Sequence, residues 1–200
     1  MDVAEVSFDK VLGAAKTIFG VAHRTPLMTC SALDRIAGRR LFLKCENFQK
    51  VGAFKFRGAF NAVSLLSDKA AAAGVVTHSS GNHAQALALA AKMRGVPACI
   101  VMPSTAPVVK KVAVEGYGAE VIVCEPTLAA RESTASEVQA RTGATFIHPY
   151  DNDDVIAGQS KHVRDAKGCR AEEIGLHRDA VAVAAGHLKD GVVPSLLEVH

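Results

Sequence analysis

The stretch GAFKFRGA at residues 52–59 sets one lysine, Lys55, between two phenylalanines, with Gly52 and Gly58 on either side. An amine held in apolar surroundings is destabilised in its charged form, so its pKa falls from about 10.4 toward the range of a nucleophile or base. Such a lysine suits imine-forming covalent chemistry on carbonyl compounds. The octapeptide alone also describes a lysine laying its stem along apolar surface at the start of an amphipathic helix. A second stretch, THSSGNH at 77–83, gathers Ser79, Ser80, Gly81, Asn82 and His83 where an apolar strand gives way to a helix. Its hydroxyls, amide and helix-N-terminal N–H groups are the donors that hold a carboxylate, and Gly81 lets a ligand come close. Without a ligand, the same residues form a capped helix start.

The elements that position these stretches follow from periodicity. Phe8, Val11, Leu12, Ala15, Ile18 and Phe19 recur at helical spacing behind Ser7, which predicts a helix over 7–19 capped by Ser7. Pro26 forces an extended connection after Arg24, residues 30–37 form a short helix stopped by Gly38, and RLFLKC at 40–45 reads as a strand. Beyond Lys55 the pattern is regular: helix 55–66, strand 74–78, helix 82–94, strand 98–102, helix 107–116, strand 120–124, helix 128–141, strand 144–147. Strands apolar at almost every position, alternating with helices of ten or more residues, predict an α/β fold with a parallel sheet covered on both faces. Ligands of such sheets bind at the carboxyl ends of the strands, where helix N-termini present free N–H groups.

Composition bounds the function. The chain has 200 residues, 49% of them hydrophobic, and a net charge of +3. Its basic residues are scattered, with only short pairs such as Arg39-Arg40 and Lys110-Lys111, and aromatics make up 5% with no Trp. Neither a basic stripe nor stacking aromatics point to nucleic acid. No secretory n-region or long apolar run occurs, so the chain is expected to be soluble and cytoplasmic, away from membranes. Cys30, Cys45, Cys99, Cys124 and Cys169 form no C-x-x-C pair and are expected to be buried free thiols. His78, His83, His148, His162, His177, His187 and His200 have no metal-ligand spacing, which argues against a zinc site built on the tail and leaves any metal unassigned.

Several motifs in one order carry a resemblance. GAFKFRGA at 52–59, THSSGNHAQALALAAK at 77–92, TAP at 105–107, GYGAEVI at 116–122, and HPY at 148–150 followed by VIAGQ at 155–159 resemble the eukaryotic serine racemase branch of the threonine dehydratase family. The resemblance implies the fold type II, tryptophan synthase β-like architecture of three-layer parallel sheets, and pyridoxal 5′-phosphate as cofactor. It implies that Lys55 is the Schiff-base lysine and base for one face of Cα, with Phe54 and Phe56 holding its stem. Asn82 matches the residue that bonds the cofactor's 3′ oxygen, and Ser80 the acid/base on the opposite face. Bacterial dehydratases of the family usually read S-A-G-N-H there, without that hydroxyl. A racemase needs a proton donor on each face, whereas a dehydratase works with the lysine alone. The sequence thus leans to serine racemisation with β-elimination of L-serine or L-threonine to a 2-oxo acid and ammonia. The alternatives are a dehydratase without racemase activity and a non-catalytic shortened form. The resemblance further implies Mg²⁺ and ATP as activators, Ser31, Lys50, Gln85 and Tyr117 lining the nucleotide site, and a homodimer.

It also implies a domain division: 1–68 as the lysine-bearing part of an incomplete large domain, 69–152 as a complete small α/β domain, and 153–200 as a return segment and divergent tail. After Gln159 the motifs cease. Asp179 to Val183 resembles the strand before the family's glycine-rich phosphate loop, yet Ala-Ala-Gly-His187 follows, with one glycine where several are expected. A phosphate dianion needs convergent backbone donors or cations. A spliced or frame-shifted product, a gene-model artefact and a shortened protein all remain open as origins of this tail.

Overall fold

The structure, a computed structural model, describes residues 6–160. The first helix, α1 (Phe8–Thr17), starts at Ser7, whose hydroxyl accepts from Lys10 N–H at 3.3 Å as the periodicity predicts. The predicted strand at 40–45 shrinks to β2 (Leu43–Lys44), and its partner is the antiparallel β1 (Leu27–Met28), outside the main sheet. The reason lies just beyond it, where Glu46 turns inward and two 3₁₀ turns, Glu46–Phe48 and Lys50–Gly52, replace any extended continuation. Between β1 and β2 runs α2 (Ser31–Ala37), ended by Gly38 in the left-handed region.

From Lys55 onward the predicted alternation is present. The helix α3 (Lys55–Ser64) is followed by an extra short helix, α4 (Asp68–Ala73), capped by Ser67. Then come β3 (Val75–His78), α5 (Asn82–Arg94), β4 (Ala98–Pro103), α6 (Val108–Gly116), β5 (Glu120–Cys124), α7 (Leu128–Thr142), β6 (Thr145–Phe146) and α8 (Asp153–Gln159). The four strands β3 to β6 are all parallel in the order β5-β4-β3-β6.

Pleating divides the strand residues between two cores. Val75, Ile100 and Met102 face the helix layer holding α5, while Val76 and Val101 meet Ala135 and Val138 of α7 on the other face. Three layers result; α3 covers the outer side of α5, and α8 packs in turn on α3. That is why α5 is buried all round: Ala84, Ala86, Leu87, Ala88, Ala90 and Ala91 are each at most 1% exposed. Small alanines let α3 approach α5 closely. α3 and α8 approach closer still, since a Cβ at Gly158 would lie 2.8 Å from both the Arg57 carbonyl oxygen and Gly58 Cα.

The cysteine expectation needs correcting. Cys30, Cys45, Cys99 and Cys124 are free but half-buried, because Cys30 and Cys45 sit in the small β1–β2 arm and Cys99 and Cys124 lie at the margin of the core between the sheet and α7. Cys169 and residues 179–187 lie outside the described residues. Among the described residues no helix is long and apolar enough to cross a membrane.

Candidate active site

β3 and β6 are neighbours, so the segment after each emerges side by side at the carboxyl edge of the sheet. Lys55 opens α3, and its Nζ donates to the Pro149 carbonyl at 2.7 Å in the segment after β6. The amine also stands 5.1 Å from the Phe54 ring centre. It is half-buried, and loss of hydration holds its pKa below the ordinary lysine value. Phe56 does not hold the stem; it is fully buried in the core beside Phe60, and its face is turned to Lys50.

The backbone before Lys55 is tightly fixed. Val51 has φ 57°, a left-handed conformation that costs a β-branched residue on the order of 1–3 kcal/mol. Gln49 braces this kink: its side-chain oxygen accepts from both His23 N–H and Lys50 N–H, and its amide donates to the His23 carbonyl. Two residues after Lys55, Arg57 makes a buried bidentate pair with Glu46 at 2.9 and 2.8 Å, and Thr25 donates to the same carboxylate. The pair anchors the first turn of α3 to the 3₁₀ segment, and Lys55 lies between these two braces.

Beside the segment after β6 that receives Lys55, the turn Ser79-Ser80-Gly81 leads from the neighbouring strand β3 into α5. Ser80 is exposed, Ser79, Gly81 and Asn82 are half-buried, and the first turn of α5 has no side-chain cap. The capped-helix reading is thereby corrected, because Ser79 instead accepts from Gly81 N–H at 3.3 Å. The first-turn N–H groups of α5 thus have no side-chain acceptor, and free N–H groups of this kind can donate to an anion. A Cβ on Gly81 would meet nothing within 4 Å, so the space the glycine saves lies outside the packed interior. His83 takes a different part from the one expected of it. Its ring is buried against the Ile147 carbonyl, which also accepts from Thr77, and burial with the nearby Lys55 charge lowers its pKa to about 3. It is therefore a neutral strut, and only its backbone N–H is available to a carboxylate.

Asn82 has a partner that sequence reading missed. Lys110, at the start of α6, donates to Asn82 Oδ1 at 2.8 Å. With its oxygen so engaged, the amide turns its N–H₂ donors elsewhere, the orientation needed to donate to a ring oxygen. Lys110 was visible in the sequence only as half of a basic pair, with nothing to set it opposite Asn82. The Pro149 carbonyl was equally hidden, since backbone acceptors leave no trace in residue type.

Of the four residues assigned to nucleotide binding, Gln85 lies on α5, and Lys50 and Tyr117 lie on or at the end of two elements that each pack on α5, the second 3₁₀ turn and α6. Gln85 is 8% exposed, and its Nε2 has no partner among the described residues. Ser31 begins α2 and is exposed. No group of three or more potential metal ligands occurs among the described residues.

A half-buried lysine amine and an uncapped glycine-serine turn, both at the carboxyl edge of a parallel sheet, fit the fold type II class that the sequence resembles. The chain belongs to the pyridoxal-phosphate dependent enzyme family, which it matches over residues 18–189. It is 51% identical over 153 residues to the beta-hydroxyaspartate dehydratase of Paracoccus denitrificans, covering 76% of this chain and 49% of that protein. It is 46% identical over 180 residues to the serine racemase of Schizosaccharomyces pombe, covering 90% of this chain and 54% of that one. Among solved structures, maize serine racemase superimposes with a TM-score of 0.80 at 44% identity, covering 83% of this chain and 50% of that chain. The family match thus runs past Gln159, where the quoted motifs stop. The chain spans about half the length of the curated relatives it matches.

The described residues fit the reactive end of pyridoxal phosphate: a desolvated amine for its aldehyde and an oriented amide for a ring oxygen. Residues 184–187, where the sequence has one glycine in place of the several expected for its phosphate, lie outside them.

Proposed function

We propose that this chain carries the lysine-bearing half of an enzyme that racemises serine and eliminates water from L-serine or L-threonine, giving a 2-oxo acid and ammonia. The observation that supports it most is the Lys55 amine, held half-buried at 2.7 Å from the Pro149 carbonyl and depressed in pKa, at the same edge of the sheet from which the Ser80-Gly81-Asn82 turn leads into α5. Bound pyridoxal phosphate would supply the electron sink that makes the Cα proton acidic. Lys55 is then the carrier and the base on one face. The α5 N-terminus and the Ser79 to His83 turn hold the substrate carboxylate, and Asn82, oriented by Lys110, bonds the ring oxygen. Ser80 stands as the proton donor on the other face. Departure of the Cβ hydroxyl as water leaves an enamine, which water converts to the 2-oxo acid and ammonia.

The domain division at 68/69 and 152/153, the homodimer, and activation by Mg²⁺ and ATP belong to this proposal. The unpartnered Gln85 amide supports a polar ligand beside α5. A second reading, 3-hydroxyaspartate as substrate, is favoured by the identity to the Paracoccus dehydratase and by the Lys110 cation at Asn82.

The test incubates the 200-residue chain with pyridoxal phosphate, reduces it with borohydride and maps the modified peptide. A pyridoxyl group on Lys55 is expected; an unmodified Lys55 at saturating cofactor would sink the enzymatic reading. Where turnover is measured, Ser80→Ala is expected to abolish D-serine formation while sparing pyruvate release, and equal loss of both contradicts the two-face scheme. Faster turnover of 3-hydroxyaspartate than of serine decides for the second reading.

A further inference from the structure

The segment that receives Lys55 has an unusual support. Pro149 supplies the carbonyl for the amine but no N–H of its own, so a backbone turn around it lacks one donor. Upstream the segment is pinned at Ile147, whose N–H donates to the Val76 carbonyl and whose own carbonyl accepts from Thr77 and His83. Downstream it is closed by a side chain: His148 Nδ1 accepts from Asp151 N–H at 2.8 Å and from Tyr150 N–H at 3.3 Å. The imidazole thus does what an Asx side chain does in a turn, offering the backbone an acceptor two and three residues on. Its ring is also set edge-on to Tyr150 at 4.5 Å. The turn hands over directly to Asn152, which caps α8, and α8 packs on the helix that begins with Lys55.

We propose that His148 is a positioning residue for Lys55: by accepting two backbone N–H groups through Nδ1, it folds the turn that aims the Pro149 carbonyl at the lysine amine. The catalytic meaning of this rests on the reading of Lys55 as the cofactor lysine. The carbonyl is then the acceptor where the amine rests whenever it is not bonded to cofactor. The arrangement requires Nδ1 to be unprotonated and the ring proton to sit on Nε2, because a protonated Nδ1 has no lone pair to offer.

Two measurements on the 200-residue chain test this without turnover. Nitrogen-15 spectra of the imidazoles at pH 7.5 should show His148 as the Nε2–H tautomer; a predominant Nδ1–H form overturns the proposal. Competitive acetylation, read peptide by peptide, should show Lys55 acetylated about fivefold faster relative to Lys16 in His148→Leu, the size of one lost hydrogen bond. His148→Asn, whose side-chain oxygen can accept the same N–H groups, should return it to within about twofold of the parent chain. Unchanged labelling in the Leu variant, or equal change in both, overturns the acceptor role. Should His148→Leu fail to fold, the tautomer and the Asn variant still decide. Borohydride trapping on the unsubstituted chain judges the cofactor reading separately: an absent Lys55 adduct removes that reading and leaves the His148 result standing.

Discussion

At the scale of single residues, chemistry depends on which titratable groups the fold leaves charged. Lys55 and His83 both lose stability in their charged forms through burial, and the Lys55 charge further opposes protonation of His83. The lysine is half-exposed and stays accessible to an aldehyde, whereas the histidine is 2% exposed and serves as a donor to Ile147. His83 also sets a pH dependence. Its folded pKa of about 3 lies below the unfolded value of 6.5, so its contribution to stability is complete above pH 6.5 and is lost as pH falls toward 3. Urea midpoints measured from pH 7 to pH 5 are therefore expected to decline. His83→Asn, which keeps a donor for Ile147 but has nothing to titrate, should flatten that decline; an unchanged slope would place the acid sensitivity elsewhere.

At the scale of elements, the site is set by how α3, α5 and α8 nest. Lys55 owes its position to α3, α3 is fastened in front by the Arg57–Glu46 pair, and its flank is closed by α8 through the Gly58–Gly158 approach. A methyl group at Gly158 would strike backbone atoms at 2.8 Å, which no side-chain rotation relieves. Gly158→Ala is expected to cost about 1–3 kcal/mol in denaturant unfolding and to displace α8 from α3. A nearly neutral Gly158→Ala would mean that the two helices separate readily. The same substitution at Gly81, where a Cβ meets nothing within the protein, should leave stability within about 0.5 kcal/mol while obstructing the ligand space, so the two glycines separate packing from function.

At the scale of the whole molecule, large apolar side chains stay exposed among the described residues, with Ile36 at 83%, Phe19 at 81% and Val108 at 74%. These lie on three different elements or their ends, so each is a candidate to be covered separately. The homodimer proposed above gives the expected outcome: sedimentation velocity should show a species of twice the chain mass, and Ile36→Asp should shift it toward the monomer. A chain that remains monomeric across the micromolar range would remove the dimer.

What the sequence determined by itself was periodic or compositional. The β-α alternation after Lys55, its parallel sheet and the two layers over it follow from apolar strand runs and helical spacing, which depend only on near neighbours. Lys55 and the Ser80-Gly81-Asn82 turn were legible because their residue types and order are specific. The tertiary structure alone decided the rest, because those facts are relations between distant segments. It paired Leu43–Lys44 with Leu27–Met28 instead of the main sheet, buried Glu46 against Arg57, and turned the His83 ring inward. It also brought Lys110 to Asn82 and the Pro149 carbonyl, 94 residues away in the chain, to Lys55. Residue type marks a lysine as able to lose its proton; only the folded surroundings, by removing water and supplying one carbonyl, set how readily it does so.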